Sequence, residues 1–310
     1  MANGTETNPI IFTAEADNIA KGQKYGTNLG ADDTGLWGGV LILGKAKGSF
    51  DGDVSAFQIE GIPASDTNGL YGGNDDADNS GVFKYVSIRH GGAEIGAGNE
   101  INGLSLGAVG SGTVLDHIEI VANSDDGIEH FGGDPHLTNV LIYACSDDGL
   151  DIDQAFHGTI ENAVVIEGDN SDHALEIDGG EGSYEAGFTL HNITLIGNPN
   201  TPKGEYADLR DGAMGTLNGI YAYGFKADSD VELDDDDTAT HYNAGKLVFG
   251  TWQIVLPAGV TDITSLFKNT SNLRVSGFGF TAQAVQQGQQ TVGADMSQFD
   301  WTFAKHNNAF

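Results

Sequence analysis

Positive charge is scarce in this chain. Its 310 residues include 13 Lys and Arg against 45 Asp and Glu, which gives a formal net charge of −32. Nucleic acid is therefore disfavoured as a partner, because phosphate binding needs clustered Lys and Arg side chains. Anionic membrane surfaces are disfavoured for the same reason, and no apolar run approaches the roughly 20 residues that span a bilayer. We expect no nucleic-acid binding and no membrane insertion.

Cysteine and proline are scarce as well. The single cysteine, Cys145, cannot form an intramolecular disulfide, so stability must come from apolar burial or bound metal ions. Only 6 Pro accompany 46 Gly, and short apolar runs alternate with clusters of Asn, Asp and Gly, which is typical of many short strands joined by turns. The first residues contain no basic segment followed by an apolar one. We expect an extracellular or cell-surface protein whose export signal or lipid anchor lies outside this sequence.

An internal repeat is the strongest pattern in the sequence. An alternating apolar motif recurs with its first aliphatic residue at positions 115, 137, 160, 190 and 217, at intervals of 22, 23, 30 and 27 residues. A second motif, Ser-Asp-Asp-Gly or a variant of it, begins at Ser124, Ser146 and Ser171. Two motifs in one period indicate two strands per repeat. A period of this length is too short for a propeller blade and shows no helical pattern, so it predicts an all-β fold, a parallel β-helix (solenoid).

The alternation within each strand predicts which side chains face the core. Ile118 and Ile120 have apolar counterparts in the later repeats, so these positions are expected to stack into aliphatic columns inside the solenoid. Asn139, Asn162 and Asn192 share one position at a turn, where we expect their amides to form an internal hydrogen-bonded ladder. His130 aligns with inward-facing isoleucines, and it is expected to pack in the core.

Several segments share a distinctive form with known proteins. They are Trp37–Lys45, Ile59–Pro63, Tyr71–Asp76, Asn99–Leu104 and Ser124–Gly127. These segments resemble an exported bacterial β-helix family of the pectin-lyase-like superfold, whose members are often described only as lipoproteins. The resemblance covers residues 8–225 and is less clear over residues 239–310. It implies export and a right-handed parallel β-helix but carries no activity, because fold does not imply function.

The domain organisation follows from the repeat. We expect a single β-helix domain over residues 1–310. Within it, residues 1–80 would form N-terminal coils and a cap, residues 81–225 hold the clearest repeats, and residues 226–310 would form C-terminal coils or a cap.

Acidic residues are concentrated in one stretch without positive charge. From His90 to Pro202 the chain has no Lys or Arg but holds 20 Asp and Glu. Coils stack about 4.8 Å apart, so equivalent carboxylates form columns along the axis. Carboxylates at that spacing repel by about 1 kcal/mol in bulk water and more near a protein surface. The predicted columns are Asp125, Asp147 and Asp172; Glu129, Asp151 and Glu176; and Asp153 with Asp178.

Something must relieve this repulsion. Raised pKa values, bound hard cations or high external salt would each do so. We predict that these columns bind Ca²⁺, which accepts six to eight oxygen ligands in flexible geometry. The alternative is the solvated acidic surface of a protein from a salty habitat.

One loop has the spacing of a calcium-binding segment. Asn74, Asp76, Asp78 and Ser80 alternate as do the first ligands of an EF-hand loop, although the distal Glu and the flanking helices are missing. An Asx-rich turn explains the same residues equally well. A weaker candidate, more simply a solvated charge run, comprises Asp228, Asp230 and Asp234–Asp237.

Catalysis is the alternative interpretation of the acidic repeats. Glycoside hydrolases need one protonated and one ionised carboxyl roughly 5 to 9.5 Å apart. Asp126, Asp147, Asp148 and His173 follow the order of the motifs in polygalacturonase-like hydrolases. However, Ala174 stands where that family has Gly, and no Arg-Ile-Lys motif follows. A uronate lyase is less favoured still, because the central repeats lack a Lys or Arg to serve as the base.

Together these patterns predict a binding protein. We expect a secreted or surface-attached acidic β-helix that binds calcium and an extracellular polysaccharide or other cell-surface material, without turning it over. A polygalacturonase-like hydrolase is the second hypothesis, and a uronate lyase is the third.

Overall fold

The computed structural model describes residues 1–95 and 100–310, so Asn99 of the Asn99–Leu104 segment lies outside the described residues. The strands are short and follow one another along the chain with few helices between them. They are β1 (Ala2–Asn3), β2 (Ile10–Phe12), β3 (Val40–Leu43), β4 (Phe57–Gln58), β5 (Leu70–Tyr71), β6 (Val82–Arg89), β7 (Leu104–Gly107), β8 (Val114–Val121), β9 (Ile128–Phe131), β10 (His136–Tyr143), β11 (Leu150–Asp153), β12 (Thr159–Ile166), β13 (Leu175–Ile177), β14 (Phe188–Ile196), β15 (Ala207–Leu209), β16 (Gly215–Tyr223), β17 (Val231–Leu233), β18 (Leu247–Phe249), β19 (Trp252–Ile254), β20 (Phe267–Asn269) and β21 (Ala282–Ala284). The helices are α1 (Asp236–Asn243) and α2 (Phe303–His306), and single 3₁₀ turns occur at Asp51–Asp53, Thr67–Gly69, Ile263–Leu266 and Met296–Phe299.

Two long parallel sheets make up the body of the protein. The first sheet has the order β1-β6-β8-β10-β12-β14-β16-β19-β21, with β2 and β18 paired beside β6 and β16, and the second runs β20-β17-β15-β13-β11-β9-β7-β3. Along the central coils, neighbours in each sheet are two strands apart in the chain, so every coil adds one strand to each sheet. This arrangement confirms the parallel β-helix, because only a solenoid stacks parallel strands in this order. β4 and β5 form a separate antiparallel hairpin.

The repeat in the sequence is the register of the first sheet. Leu115 pairs with Leu137, Leu137 with Ile160, and Ile160 with Leu190. These aliphatic side chains are at most 1% exposed and belong to one apolar core. The predicted inward columns are therefore confirmed. His130 is fully buried beside Phe156, with ring centroids 4.6 Å apart, so its predicted core position is confirmed as well.

A left-handed residue bends each long strand of the first sheet. Asn139, Asn162 and Asn192 have φ of 57° to 59°, and Gly219 takes the same position with φ 75°. Asn162 Nδ2 donates to Asn139 Oδ1 at 2.7 Å, which confirms one step of the predicted ladder. The ladder is not internal, however, because the interior is filled by the aliphatic columns and the amides lie half-buried at the surface of this corner. We call these three residues the amide column.

The C-terminal segment, residues 285–310, runs back across the outer face of the first sheet. Its backbone N–H groups donate in turn to the side chains of Gln253, Thr194, Asn162 and Glu119, which lie on β19, β14, β12 and β8. Phe299 packs against this face in an apolar cluster of its own. The segment thus covers a sheet face that would otherwise be open to solvent. Among the described residues, no helix has the length and apolar character needed to cross a membrane.

Candidate functional site

The predicted acidic columns follow the outer face of the second sheet. Glu129 pairs with Asp151, Asp151 with Glu176, and Glu176 with Asp208, so these carboxylates are stacked coil upon coil. Their neighbours in each strand face the core, and the alternation of a β-strand therefore turns the acidic side chains outward. The column Glu129, Asp151 and Glu176 predicted from the sequence is confirmed.

Carboxylates also stabilise the corner that precedes this face. Asp126 Oδ1 accepts a hydrogen bond from the backbone N–H of Asp148 at 2.9 Å, and Asp148 Oδ1 accepts one from the backbone N–H of His173 at 2.7 Å. Each carboxylate thereby links its coil to the next. Beside them, ligand oxygens of Asp125, Asp126 and Asp147 lie within 4.8 Å of one another.

The most deeply buried acidic group consists of Asp126, Glu129 and Asp151. Their carboxylate oxygens approach within 4.8 Å, although the residues are only 7%, 8% and 7% exposed. Among the residues that the structure describes, no side-chain nitrogen of Lys, Arg or His lies within 4.0 Å of their carboxylate oxygens, and the Nδ1 of His130 contacts only the backbone oxygen of Asp151, at 3.0 Å. Burial and the neighbouring carboxylates raise the pKa of all three well above the usual range. Asp151 Oδ1 is buried and has no hydrogen-bond partner.

The hairpin of β4 and β5 and the loop between its strands cover this group. Tyr71 packs against Phe131, with ring centroids 6.0 Å apart, and its hydroxyl donates to Gln154 at 2.7 Å. Asn102 Nδ2 donates both to Glu60 Oε1, at 3.3 Å, and to Glu129 Oε2. Burial raises the pKa of Glu60 as well.

Glu60 and Asn102 are site residues that the sequence reasoning missed. Glu60 lies in an insertion outside the repeat, so no periodic signal marks it. Asn102 precedes β7 and reaches the acidic face only through its side chain. Spatial proximity alone brings them to the column.

Positive charge reaches the acidic stretch from outside its sequence limits, contrary to the expectation that the columns have no neighbouring cation. Arg210 Nη2 lies 2.8 Å from Glu176, Arg210 Nε lies 2.7 Å from Asp178, and Lys203 lies 2.6 Å from Asp172. Both basic residues follow Pro202 and fold back beside the preceding coil. We call Asp172, Glu176 and Asp178 the paired acidic face.

On this face of the preceding coils, none of the described carboxylates forms an ion pair with Lys or Arg; the Lys84–Asp116 and Arg89–Glu119 pairs lie on the first sheet. We use the name unpaired acidic face for Asp125, Asp126, Glu129, Asp147, Asp151 and Asp153. Burial raises the pKa of Asp125 and of Asp153 to about 7. Beside Asp153 opens a cleft of about 580 Å³ that is lined almost entirely by carboxylates, among them Asp178, Glu181 and Asp211.

The weaker acidic cluster is largely structural. Asp235 caps α1 by accepting hydrogen bonds from the backbone N–H groups of Asp237 and Thr238. Asp230 is 4% exposed and forms an ion pair with Lys268. Asp235 is therefore a helix cap, whereas Asp230 Oδ1 is buried without a hydrogen-bond partner and the Asp230 carboxylate lies within 4.8 Å of those of Glu205 and Glu232.

The loop with EF-hand spacing does not bring its ligands together. Asp76 forms an ion pair with Lys47 at 2.9 Å, and Asp78 accepts a hydrogen bond from the Ser80 hydroxyl at 2.9 Å. Asp76 and Asp78 belong to none of the clusters of acidic and histidine ligands found among the described residues. Asn74 lies at the start of this turn without a side-chain hydrogen bond to the described residues. The structure therefore favours the Asx-rich turn, because the side chains satisfy partners within the loop and on Lys47.

The residues of the hydrolase hypothesis do meet, but in a crowded and buried place. His173 Nδ1 lies 2.9 Å from Asp148 Oδ1, and Glu176 completes a group within 4.8 Å. Asp126 and Asp148 are 7% and 4% exposed. One carboxylate oxygen of Asp126 and one of Asp147 lie within 4.8 Å of each other, so these groups are crowded together with Asp125. Two of the four residues are thus committed to hydrogen bonds between coils.

Comparison with known proteins gives one match. A sequence model of the family described as pectate-lyase-like β-helix domain covers residues 1–304. No curated protein matches the chain, and no solved structure matches it.

Proposed function

Because the chain belongs to the pectate-lyase-like β-helix family, we propose that it is an extracellular carbohydrate-binding protein that holds Ca²⁺ in its unpaired acidic face and performs no catalysis. The family supports a carbohydrate-related role. The cation and the absence of turnover are inferred from the chemistry of the acidic face.

The buried group of Asp126, Glu129 and Asp151 carries this proposal. Two charges at about 4 Å interact by about 4 kcal/mol at the effective dielectric near a protein surface. Three ionised carboxylates without a cation would therefore destabilise the fold strongly. Neutralisation by protons or by a bound metal ion removes that cost, and the unpartnered Asp151 Oδ1 is a free ligand for a metal ion.

The geometry suits calcium among the hard cations. Calcium binds carboxylate, amide and carbonyl oxygens at about 2.3–2.6 Å in flexible geometry, so it tolerates an irregular cluster of three carboxylates. The carboxylate oxygens of the buried group fall within 4.8 Å of one another. Asn102 Oδ1 is also buried without a hydrogen-bond partner, and Glu60 lies beside it. Magnesium fits less well, because it demands octahedral geometry and retains its waters.

A bound cation also explains how an acidic protein would engage an acidic polysaccharide. Without a bound cation, the unpaired acidic face repels the carboxylates of uronate sugars. A divalent ion is the largest local charge in its site and inverts the local electrostatics. Asp125 and Asp147, which are only half-buried at the edge of this face, are the positions where a bound ion would remain accessible to a polysaccharide carboxylate.

Thermal unfolding with calcium and with chelator tests the cation. We expect calcium to raise the Tm of the wild type and Asp151→Asn to lose most of this shift, with Asp78→Asn as the control outside the carboxylate groups. The sign of the Tm difference between Asp151→Asn and the wild type in chelator is diagnostic. Without calcium the substitution removes repulsion between carboxylates, so Asp151→Asn should have the higher Tm. An unchanged Tm on chelation would refute the calcium proposal.

Hydrolysis remains the second candidate because His173 and Asp148 form a close pair. A screen for reducing-sugar release from uronate and neutral polysaccharides separates the two functions. We expect no release from the wild type. Release that is lost in Asp148→Asn, with the fold intact by circular dichroism, would overturn the non-catalytic assignment.

A further inference from the structure

We infer that a groove between the amide column and the C-terminal segment is a binding site for a neutral glycan chain. The inference rests on the proposed carbohydrate-binding function, but it assigns the carbohydrate to a different face and needs no cation. The groove encloses about 730 Å³. Its polar lining includes Asn139, Glu161, Asn162, Asn192, Asp295 and Gln298.

The lining offers both donors and acceptors, as a polyhydroxylated ligand requires. Asn162 Oδ1 accepts a hydrogen bond from the backbone N–H of Asp295 at 2.5 Å. Gln298 Nε2 donates to the Asp295 carboxylate, and the Oε1 of Gln298 has no hydrogen-bond partner among the described residues. Among the described residues, none hydrogen-bonds to the side-chain amide of Asn192. An amide has two donor hydrogens and an acceptor oxygen, so it can bind two neighbouring sugar hydroxyls at once.

The spacing of the amide column suits an extended chain. Adjacent coils lie about 4.8 Å apart, which is close to the length of one pyranose ring. Along a chain that follows the solenoid axis, Asn192 would offer its whole amide to one sugar unit. Asn162 and Asn139 are already bonded to each other, to the Asp295 N–H and to Asp116, so they would offer only their remaining hydrogen-bonding capacity to the next units. A flat single-sugar pocket would not need this repetition.

Aromatic rings extend the groove on the other side of the C-terminal segment. A neighbouring cavity of about 250 Å³ is lined by Tyr221 and Tyr223, whose ring centroids are 5.3 Å apart. Both cavities share Gln290 in their lining. Tyr221 is only 3% exposed and its hydroxyl is buried, so the half-buried Tyr223 is the ring on which the apolar face of a sugar could pack.

The charge of the groove selects a neutral ligand. Neither Lys nor Arg is part of its lining, which contains the carboxylates of Glu161 and Asp295. Two histidines approach Glu161, with His136 Nε2 at 3.6 Å and His191 Nδ1 at 3.7 Å. A uronate would be repelled by these carboxylates, whereas a neutral sugar hydroxyl can donate to them.

Asn192→Gly is the variant that tests this site most cleanly. Gly219 already occupies the same position one coil away with positive φ, so glycine preserves the backbone while it removes the amide. Asn308→Gly is the matched control, because Asn308 also has a positive φ of 57° but lies outside the groove. Glu161→Gln tests the acceptor without changing its size.

Binding is measured by calorimetry, once in chelator and once with calcium, with linear hexasaccharides of glucose, mannose, xylose and galactose and with oligogalacturonate of equal length. We expect at least one neutral chain to bind, with affinity about fivefold weaker in Asn192→Gly, as for the loss of about one neutral hydrogen bond. Asn308→Gly should leave that affinity unchanged.

The outcomes separate this site from the acidic face. Absence of binding by every neutral chain, or equal affinity in wild type and Asn192→Gly, overturns the groove. If oligogalacturonate alone binds, and only with calcium, the proposed function stands without the groove. If no glycan binds in either condition while calcium raises the Tm, carbohydrate binding fails on both faces and only the cation site survives.

Discussion

The paired and unpaired acidic faces are built from the same residue types at the same positions of successive coils. Glu129 and Asp151 precede Glu176 in one register, yet only Glu176 has an arginine at hydrogen-bonding distance. The difference comes from the next coil, which supplies Lys203 and Arg210 to one face and nothing comparable to the other. Carboxylates stacked in one column can therefore have different electrostatic surroundings from one coil to the next. Where the chain provides its own cation the repulsion is relieved within the protein, and where it provides none the repulsion can be relieved only by protons or by a cation from solution.

Removal of Arg210 should have the largest effect, because it converts the paired face into an unpaired one. Arg210→Met leaves Glu176 and Asp178 without their partner, and we expect the free energy of unfolding in chelator to fall by about 3 kcal/mol. Calcium should restore part of this loss. Urea denaturation measures both effects, and Lys246→Met, which removes an exposed pair with Glu185, is the control with an expected loss of at most about 1 kcal/mol. An equally small loss for both variants would contradict the distinction between the faces.

The boundary between the two faces should respond to pH. Burial alone would lower the pKa of His173, but the hydrogen bond with Asp148 and the negative charges of Asp148, Asp172 and Asp208 together outweigh burial and raise the pKa to about 9. The folded protein thus holds the proton more tightly than the unfolded chain, whose histidine pKa is about 6.5. The resulting stabilisation, of about 3 kcal/mol, is complete below pH 6.5 and is lost as the pH rises to about 9.

Thermal unfolding in chelator across this range checks the pH effect. Stability of the wild type should decline from near-neutral to alkaline pH, and His173→Gln should decline less. His136→Gln, at a half-exposed position outside both faces, is the control and should follow the wild type. An identical pH profile for His173→Gln and wild type would show that the His173–Asp148 pair does not stabilise the fold.

A matched pair of substitutions should give opposite signs. Asp153 and Asp178 follow paired residues of adjacent coils, but only Asp178 has an ion pair, with Arg210 at 2.7 Å. In chelator, Asp178→Asn should lower the free energy of unfolding by about 1 kcal/mol, because it weakens a charged hydrogen bond. Asp153→Asn should raise it by up to about 1 kcal/mol, because it relieves repulsion from neighbouring carboxylates. Chemical denaturation distinguishes them, and effects of the same sign would contradict the comparison.

Periodicity explains how much of this arrangement could be predicted from the sequence. The recurrence of Leu115, Leu137 and Ile160 predicts the register, and the register places the carboxylates in columns. The position of Arg210 could not be predicted in the same way, because it lies beyond the acidic stretch and reaches back to the preceding coil. Glu60 arrives from an insertion that has no place in the repeat.

The surface position of the amide column has a similar cause. The equivalence of Asn139, Asn162 and Asn192 is visible in the sequence, but the solvent exposure of a corner depends on what covers it. The C-terminal segment that approaches the column has no repeat pattern, so its path across the first sheet leaves no signal in the sequence. Contacts between the repeats and non-repeating segments therefore cannot be predicted from the repeat pattern of the sequence.

The smallest expected effect concerns the loop whose spacing resembles an EF-hand. Asp76 is already paired with Lys47, and both side chains are about one third exposed, so Asp76→Asn should cost at most about 1 kcal/mol. Because the Lys47 pair makes a cation site in this loop unnecessary, the Tm shift of Asp76→Asn with calcium should equal that of the wild type. A shift that shrinks in Asp76→Asn but persists in Asp151→Asn would transfer the calcium site from the unpaired acidic face to the loop. That result would also remove the reason for treating the two acidic faces as different.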